Sequence, residues 1–269
     1  MLSFSGRRYL ITGVLNEDSI AWSIARALQL AGAEILLTGY GRCRQITECA
    51  ATLLPKPLDV LELDVTKEED FVNLTMELDR RWGSLDGAVH SVAAAPQDAV
   101  NGNFLTTSAS SATLAFRTAA YSLHALTTSI APLLRRGSGR GSVVGIDFDA
   151  SVAWPGYDWM GVSKAALGAV CRYLAMYLGH TGVRVNLVAA GPLETVAGRS
   201  ISTFNAIANR WERDAPLGWD RHAVDQVTGP VLFLLSDLSS SVTGEILHAD
   251  GGLHAVAMGN TFQSMKGMS

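Results

Sequence analysis

Cysteine is scarce in this sequence and does not pair. Cys43, Cys49 and Cys171 are odd in number and form no CxxC spacing. That argues against a disulfide framework and a thiolate zinc site, and it suits a reducing cytosol. No apolar run reaches the ~20 residues a membrane helix requires. The opening MLSFSGRRYLITG passes straight into a strand-like segment without a long apolar stretch, so no signal peptide is expected. Basic residues number 21 against 25 acidic ones and form no block, so nucleic acid is not an expected partner. The six histidines, His90, His124, His180, His222, His248 and His254, show no HExxH pair, so no metal is expected. There is also no Pro-, Gly- or Ser-rich linker, no internal repeat and no low-complexity tract.

What is present is a long alternation. Strand-like segments RRYLITG, AEILLTGY, LDVLELDV, LDGAVHSVA, GSVVGIDFD, GVRVNLVAAGP and GEILHADGG are separated by stretches of helical spacing. These helical stretches include SIAWSIARALQLAGA, RQITECAATLL, EEDFVNLTMELDRRWG, TLAFRTAAYSLHALTTSIAPLL and VTGPVLFLLSD. Strands that are nearly continuous apolar runs imply a parallel sheet covered on both faces. The prediction is an α/β fold over 1–269: one doubly wound Rossmann-type domain with a seven-stranded parallel sheet. Ligands of such sheets bind beyond the carboxyl ends of the strands.

The first β–α turn, GVLNEDSIA, lacks the G-x-G-x-x-G fingerprint and keeps only Gly13. Gly13 still permits a sharp turn and close backbone approach. Asp18 or Ser19 can cap the following helix, whose first amides would suit a pyrophosphate. At the end of the second strand, LLTGYGR offers no Asp or Glu for a ribose hydroxyl. Tyr40 is placed to stack beside adenine. Arg42 or Arg44 either meets a 2′-phosphate or is solvated at the start of the next helix. Asp64 either accepts the adenine amino group or caps the helix that follows.

Taken together, GVLNEDSIAWSIA, LELDV, VHSV with PQD, GIDFDASVAWPGYDWMGVSKAAL, VRVNLVAAGP and TGEILHADGG resemble the enoyl-acyl carrier protein reductases. These belong to the short-chain dehydrogenase/reductase superfamily, and the resemblance is nearest to the mycobacterial branch. The specific parts are Gly13-x5-Ser19-Ile20-Ala21 and Tyr157-x6-Lys164. Most of that superfamily carries Tyr-x3-Lys, which would need tyrosine where Met160 stands. It also carries a serine at the end of the fifth strand, which here reads Ile146-Asp147-Phe148-Asp149. Seven residues of helix rise ~10 Å against ~6 Å for four, while keeping both side chains near one face.

The resemblance implies NADH-dependent reduction of a trans-2-enoyl thioester, on acyl carrier protein or coenzyme A, in fatty acid biosynthesis. NADPH is left open as cofactor. Tyr157 would hydrogen-bond the thioester oxygen, Lys164 the nicotinamide ribose, and Phe148 would wall the hydride path. The cofactor would contact Gly13, Ser19, Ile20, Tyr40, Asp64, Val65, Ser91, Ala93, Lys164, Pro192, Leu193 and Thr195. Substrate would meet Tyr157, Trp154 and Phe204, with Tyr121 narrowing the pocket. A helical lid is expected over about 194–214, where Ile201, Phe204, Ile207, Ala208 and Trp211 recur at helical spacing. A cytoplasmic homotetramer is implied as well.

Some positions depart from the family pattern. Ala93 and Ala94 stand where relatives usually carry glycine and a larger residue. Glu194 would repel phosphates. Region 98 to 118 diverges most. A reductase of a specialised-metabolite pathway, or an idle dinucleotide-binding homologue, are the alternatives these departures raise.

Overall fold

The computed structural model describes residues 3–137 and 141–257. Seven parallel strands form one sheet in the order β3-β2-β1-β4-β5-β6-β7. They are β1 (Arg8–Ile11), β2 (Glu34–Gly39), β3 (Val60–Glu62), β4 (Gly87–His90), β5 (Ser142–Asp147), β6 (Arg184–Ala190) and β7 (Ile246–Ala249). The main helices are α1 (Ile20–Leu30), α2 (Gly41–Ala51), α3 (Glu68–Trp82), α4 (Ala109–Phe116) and α5 (Ser122–Leu134). They continue with α6 (Asp158–Leu178), α7 (Val196–Arg199), α8 (Phe204–Asp214) and α9 (Thr228–Leu235).

Successive strand residues point to opposite faces, and the core divides accordingly. Tyr9, Ile11, Ile35, Leu37, Val144 and Val188 pack beneath α1 and α9 on one side. Leu10, Leu36, Ala88, Val143 and Leu187 pack beneath α3, α5 and α6 on the other. Burial on both faces is why these strands read as unbroken apolar runs.

The strand order reverses between β1 and β4, which opens the crevice where such sheets bind dinucleotides. Gly13, at φ +86°, lies at this crevice, and a Cβ there would come within 2.0 Å of Ser91 O. Glycine is therefore required where the first turn crosses the end of β4.

The long helical region between β4 and β5 is not one regular helix. Ser108 accepts from Ser111 N at 3.1 Å and caps α4, which begins at Ala109, four residues before the start expected from periodicity. A π turn over Arg117–Tyr121 then precedes α5. There the Ser122 hydroxyl donates to Thr118 O (2.6 Å) and meets His90 Nε2 at 2.7 Å. A side chain inserted into the helical ladder in this way is a common cause of a local widening. No described helix is long and apolar enough to cross a membrane.

Candidate active site

At the head of α1, Ser19 has the extended backbone of an N-cap, but its side chain does not cap the helix. The Ser19 hydroxyl instead accepts from Leu15 N and Asn16 N, both at 3.1 Å, and so shapes the turn. Asp18 does not cap either: it accepts from Asn16 Nδ2 at 3.2 Å and faces Arg199 of α7 at 3.7 Å. Thus the helix starts at Ile20 without a side-chain cap. Its first amides point to the crevice, in the arrangement that binds anions.

Beyond the end of β2, Tyr40 is 49% exposed at the head of α2. Asp64 takes Thr66 N (2.9 Å) and the Thr66 hydroxyl (2.7 Å) on Oδ1, which makes a local turn before α3. Its other oxygen lies 3.9 Å from Lys67 Nζ. Val65 packs against the core beneath α3. Ser91 N donates to Thr12 Oγ1 at 3.3 Å at the floor of the crevice.

Tyr157 and Lys164 lie on α6, the tyrosine at the N-cap and the lysine two turns in. The Lys164 ammonium is buried, donates to Ile146 O at 2.7 Å and lies 4.0 Å from Asp147 Oδ1. Burial pushes the lysine pKa down, with Asp147 opposing. Burial also raises the Asp147 carboxyl to about 6, with Lys164 opposing. Asp147 Oδ1 is buried and has no hydrogen-bond partner. His90 lies deeper, and burial first and Lys164 second drive its pKa down to about 3, so it is neutral.

The Tyr157 ring sits between two apolar groups. It packs against the cluster of Val100, Ala119 and Met160, which Ala93, Ala95 and Ile201 also border. It also meets Phe148 edge-on, with ring centroids 5.1 Å apart. Phe148 in turn contacts Trp154 (5.7 Å) and Trp211 (5.5 Å), and Trp154 Nε1 is fixed by Asp149 O at 2.7 Å. Burial, then the Asp147 charge, raise the Tyr157 pKa well above the ordinary phenol range. The hydroxyl thus stays protonated, a donor with no hydrogen-bond partner among the described residues.

The segment after β6 brackets the same place. Trp219 Nε1 donates to Pro192 O at 2.8 Å, Leu193 is buried, and Thr195 Oγ1 caps α7 by accepting from Gly198 N at 3.0 Å. Glu194 faces His222 Nδ1 at 3.4 Å. The link between α7 and α8 is tied down: Ser202 N donates to Asn101 Oδ1 at 2.7 Å, and Thr203 Oγ1 donates to Pro155 O at 2.5 Å. Asn101 N donates to Gly156 O at 2.8 Å, so the 97–103 loop joins this link to the turn bearing Tyr157.

Phe204 packs with Gly198 and beneath the Arg221 guanidinium. Trp211, two turns further along α8, packs with Phe148 and Trp154. Tyr121 is 44% exposed with its ring against His124. Asp147 and His90 were not singled out from sequence. An acid beside Lys164 is visible only once β5 and α6 are packed. Among the described residues no cluster of three or more His, Cys, Asp or Glu could hold a metal ion.

A family model described as Enoyl-(Acyl carrier protein) reductase matches residues 13–254. An enoyl-[acyl-carrier-protein] reductase [NADH] of Mycolicibacterium smegmatis is 38% identical over 261 residues, covering 92% of this chain and 96% of the relative. One of Bacillus subtilis, also named for NADH, is 35% identical, covering 95% and 98%. One of Staphylococcus aureus, named for NADPH, is 35% identical, covering 95% and 100%.

Proposed function

The chain belongs to the enoyl-(acyl carrier protein) reductase family, and from that premise we propose how its own residues reduce the trans-2 double bond of an enoyl thioester with NADH. The substrate is carried by acyl carrier protein, and the reaction serves fatty acid biosynthesis in the cytosol. The observation that carries the reading is the pair on α6. A protonated, unpartnered Tyr157 hydroxyl stands two helical turns from a buried Lys164 fixed by Ile146 O.

The residues present fit a dinucleotide. The α1 amides lack a side-chain cap, Gly13 lets the first turn lie against Ser91 at the crevice, and Asp147 Oδ1 is a buried acceptor without a donor. An ammonium has three donors. Ile146 O takes one from Lys164, which leaves others for ribose hydroxyls. When bound, the nicotinamide supplies a hydride to the β-carbon of the substrate.

As that bond forms, the electron pair of the double bond moves onto the thioester oxygen. Tyr157 donates to this oxygen, where negative charge appears only as reaction proceeds, and such stabilisation raises the rate. The α-carbon then takes a proton from solvent water as the pair on the oxygen re-forms the carbonyl, which completes the saturated thioester. Lys164 holds positive charge nearby. Phe148, Trp154 and Trp211 exclude water on one side of Tyr157, and Ile201 and Met160 do so on the other. The acyl chain is expected to run between these groups beneath α7 and α8, which act as a lid.

The outer face of α6 exposes Val162, Tyr173, Met176 and Tyr177, and α4 exposes Leu114 and Phe116. Edge strand β7 is only partly buried. These surfaces support a closed homotetramer. Light scattering at micromolar concentration should return four times 28.6 kDa; a monomer mass would refute it. The activity itself is tested by NADH oxidation with trans-2-enoyl thioesters. No turnover with any chain length would overturn the reading.

A further inference from the structure

Relatives equally similar to this chain are named for different cofactors, NADH in one and NADPH in another. Overall similarity therefore leaves open which residue decides between them. In sheets of this type, the adenosine ribose faces the loop after β2. An acid there holds the ribose hydroxyl, while an arginine admits a 2′-phosphate. Here β2 ends Thr38-Gly39-Tyr40, with no acid.

The packing explains why none fits at Gly39. A Cβ there would lie 2.9 Å from Arg44 Cα and 3.1 Å from Thr47 Oγ1, because α2 closes over the strand end. The neighbouring strand supplies the carboxylate instead. β2 and β3 pair in parallel with Gly39 opposite Glu62. From there Glu62 Oε1 accepts from Gly41 N at 3.0 Å, and Oε2 accepts from Arg44 Nη1 at 3.4 Å. Arg44 Nε also donates to Glu48 Oε1 at 2.9 Å.

We propose that Glu62 is the residue that makes this site select NADH over NADPH. Its carboxylate occupies the amide at the head of α2 and engages Arg44, the two groups best placed to receive a 2′-phosphate. It also sets a negative charge against that phosphate. A carboxylate at the same point is compatible with a ribose hydroxyl, which can donate to it. Arg42 is exposed and makes no ion pair among the described residues, so it offers a phosphate only a solvated, screened charge.

This inference rests on the reductase reading, and binding separates the two. NADH and NADPH dissociation constants are measured by titration of the wild type, Glu62→Gln, Arg44→Ala and the double variant. Glu62→Gln removes one like charge at a partly exposed site and frees Arg44. NADPH should bind about tenfold tighter, while NADH affinity changes by less than about threefold. Adding Arg44→Ala should cancel most of the NADPH gain. The fragments 2′,5′-ADP and 5′-AMP should show the same contrast without the nicotinamide end.

If both dinucleotides shift together in Glu62→Gln, the residue is only a cap for α2 and the proposal falls. It falls equally if Arg44→Ala alone weakens NADPH but not NADH, since the arginine would then read the phosphate despite Glu62. A wild type that bound neither dinucleotide would overturn the reductase reading and this inference with it.

Discussion

Removing the Tyr157 hydroxyl should separate activity from stability. Tyr157→Phe keeps the ring against Phe148 at 5.1 Å and within the group formed with Met160 and Ile201. The deleted oxygen has no hydrogen-bond partner among the described residues, so folding loses no bond that they supply. The expected stability change is within about 0.5 kcal/mol, or ~1–2 °C for a chain of this length. Turnover should behave differently. Losing one donor aimed at a developing oxyanion typically costs ~10²–10³-fold, about 3–4 kcal/mol of barrier. NADH affinity should hold, because that contact is assigned by the proposal to Lys164 and the first turn. The assay is steady-state NADH oxidation with a medium-chain enoyl thioester, alongside NADH titration and thermal unfolding. Since burial raises the phenol pKa, the wild-type rate should also show no loss of this donor near pH 10, the ordinary phenol value. Retention of turnover within a few-fold would refute the role given to Tyr157. A fall of many degrees in melting temperature would show instead that the hydroxyl has a structural partner.

The Asp147 carboxyl is raised by burial from 3.8 to about 6, so the folded state holds its proton more firmly than the unfolded chain. Its contribution to apoprotein stability is therefore lost as pH rises through that window, by at most about 3 kcal/mol. In denaturant unfolding the wild type should lose stability relative to Asp147→Asn between about pH 4 and 6, and parallel pH profiles for the two proteins would contradict this. For substrate length, kcat/KM should rise to medium acyl chains and then level off, because the segment 194–214, proposed as the lid, is short. Trp211→Phe, which trims a residue 1% exposed against Trp154 and Phe148, should move that plateau toward longer chains. An unchanged length profile in a series of enoyl thioesters would remove Trp211 from the pocket wall.

Much of this protein was legible along the chain because it depends on local periodicity. Seven apolar runs separated by helical spacing specify a parallel sheet covered on both faces, and each predicted strand is present. The Tyr157-x6-Lys164 interval and the missing serine after Ile146 are likewise linear facts, since one helix converts sequence interval into distance. The resemblance to the reductases rests on the same linear motifs.

Other features depend on which segments pack together. Asp147 meets Lys164 because β5 lies beside α6, and neither residue carries a mark of the other in sequence. Phe204 and Trp211 share a helical stripe, and only the seat of α8 decides that Trp211 meets the Phe148 ring while Phe204 lies beneath Arg221. The acid absent from the end of β2 is found 21 positions later than Gly41. Periodicity assigns a residue to a face of its own element. The register between neighbouring strands, set by the whole sheet and its two helical layers, decides what that residue meets. For this site the register places Glu62 opposite Gly39, at a strand end too crowded for any side chain of its own.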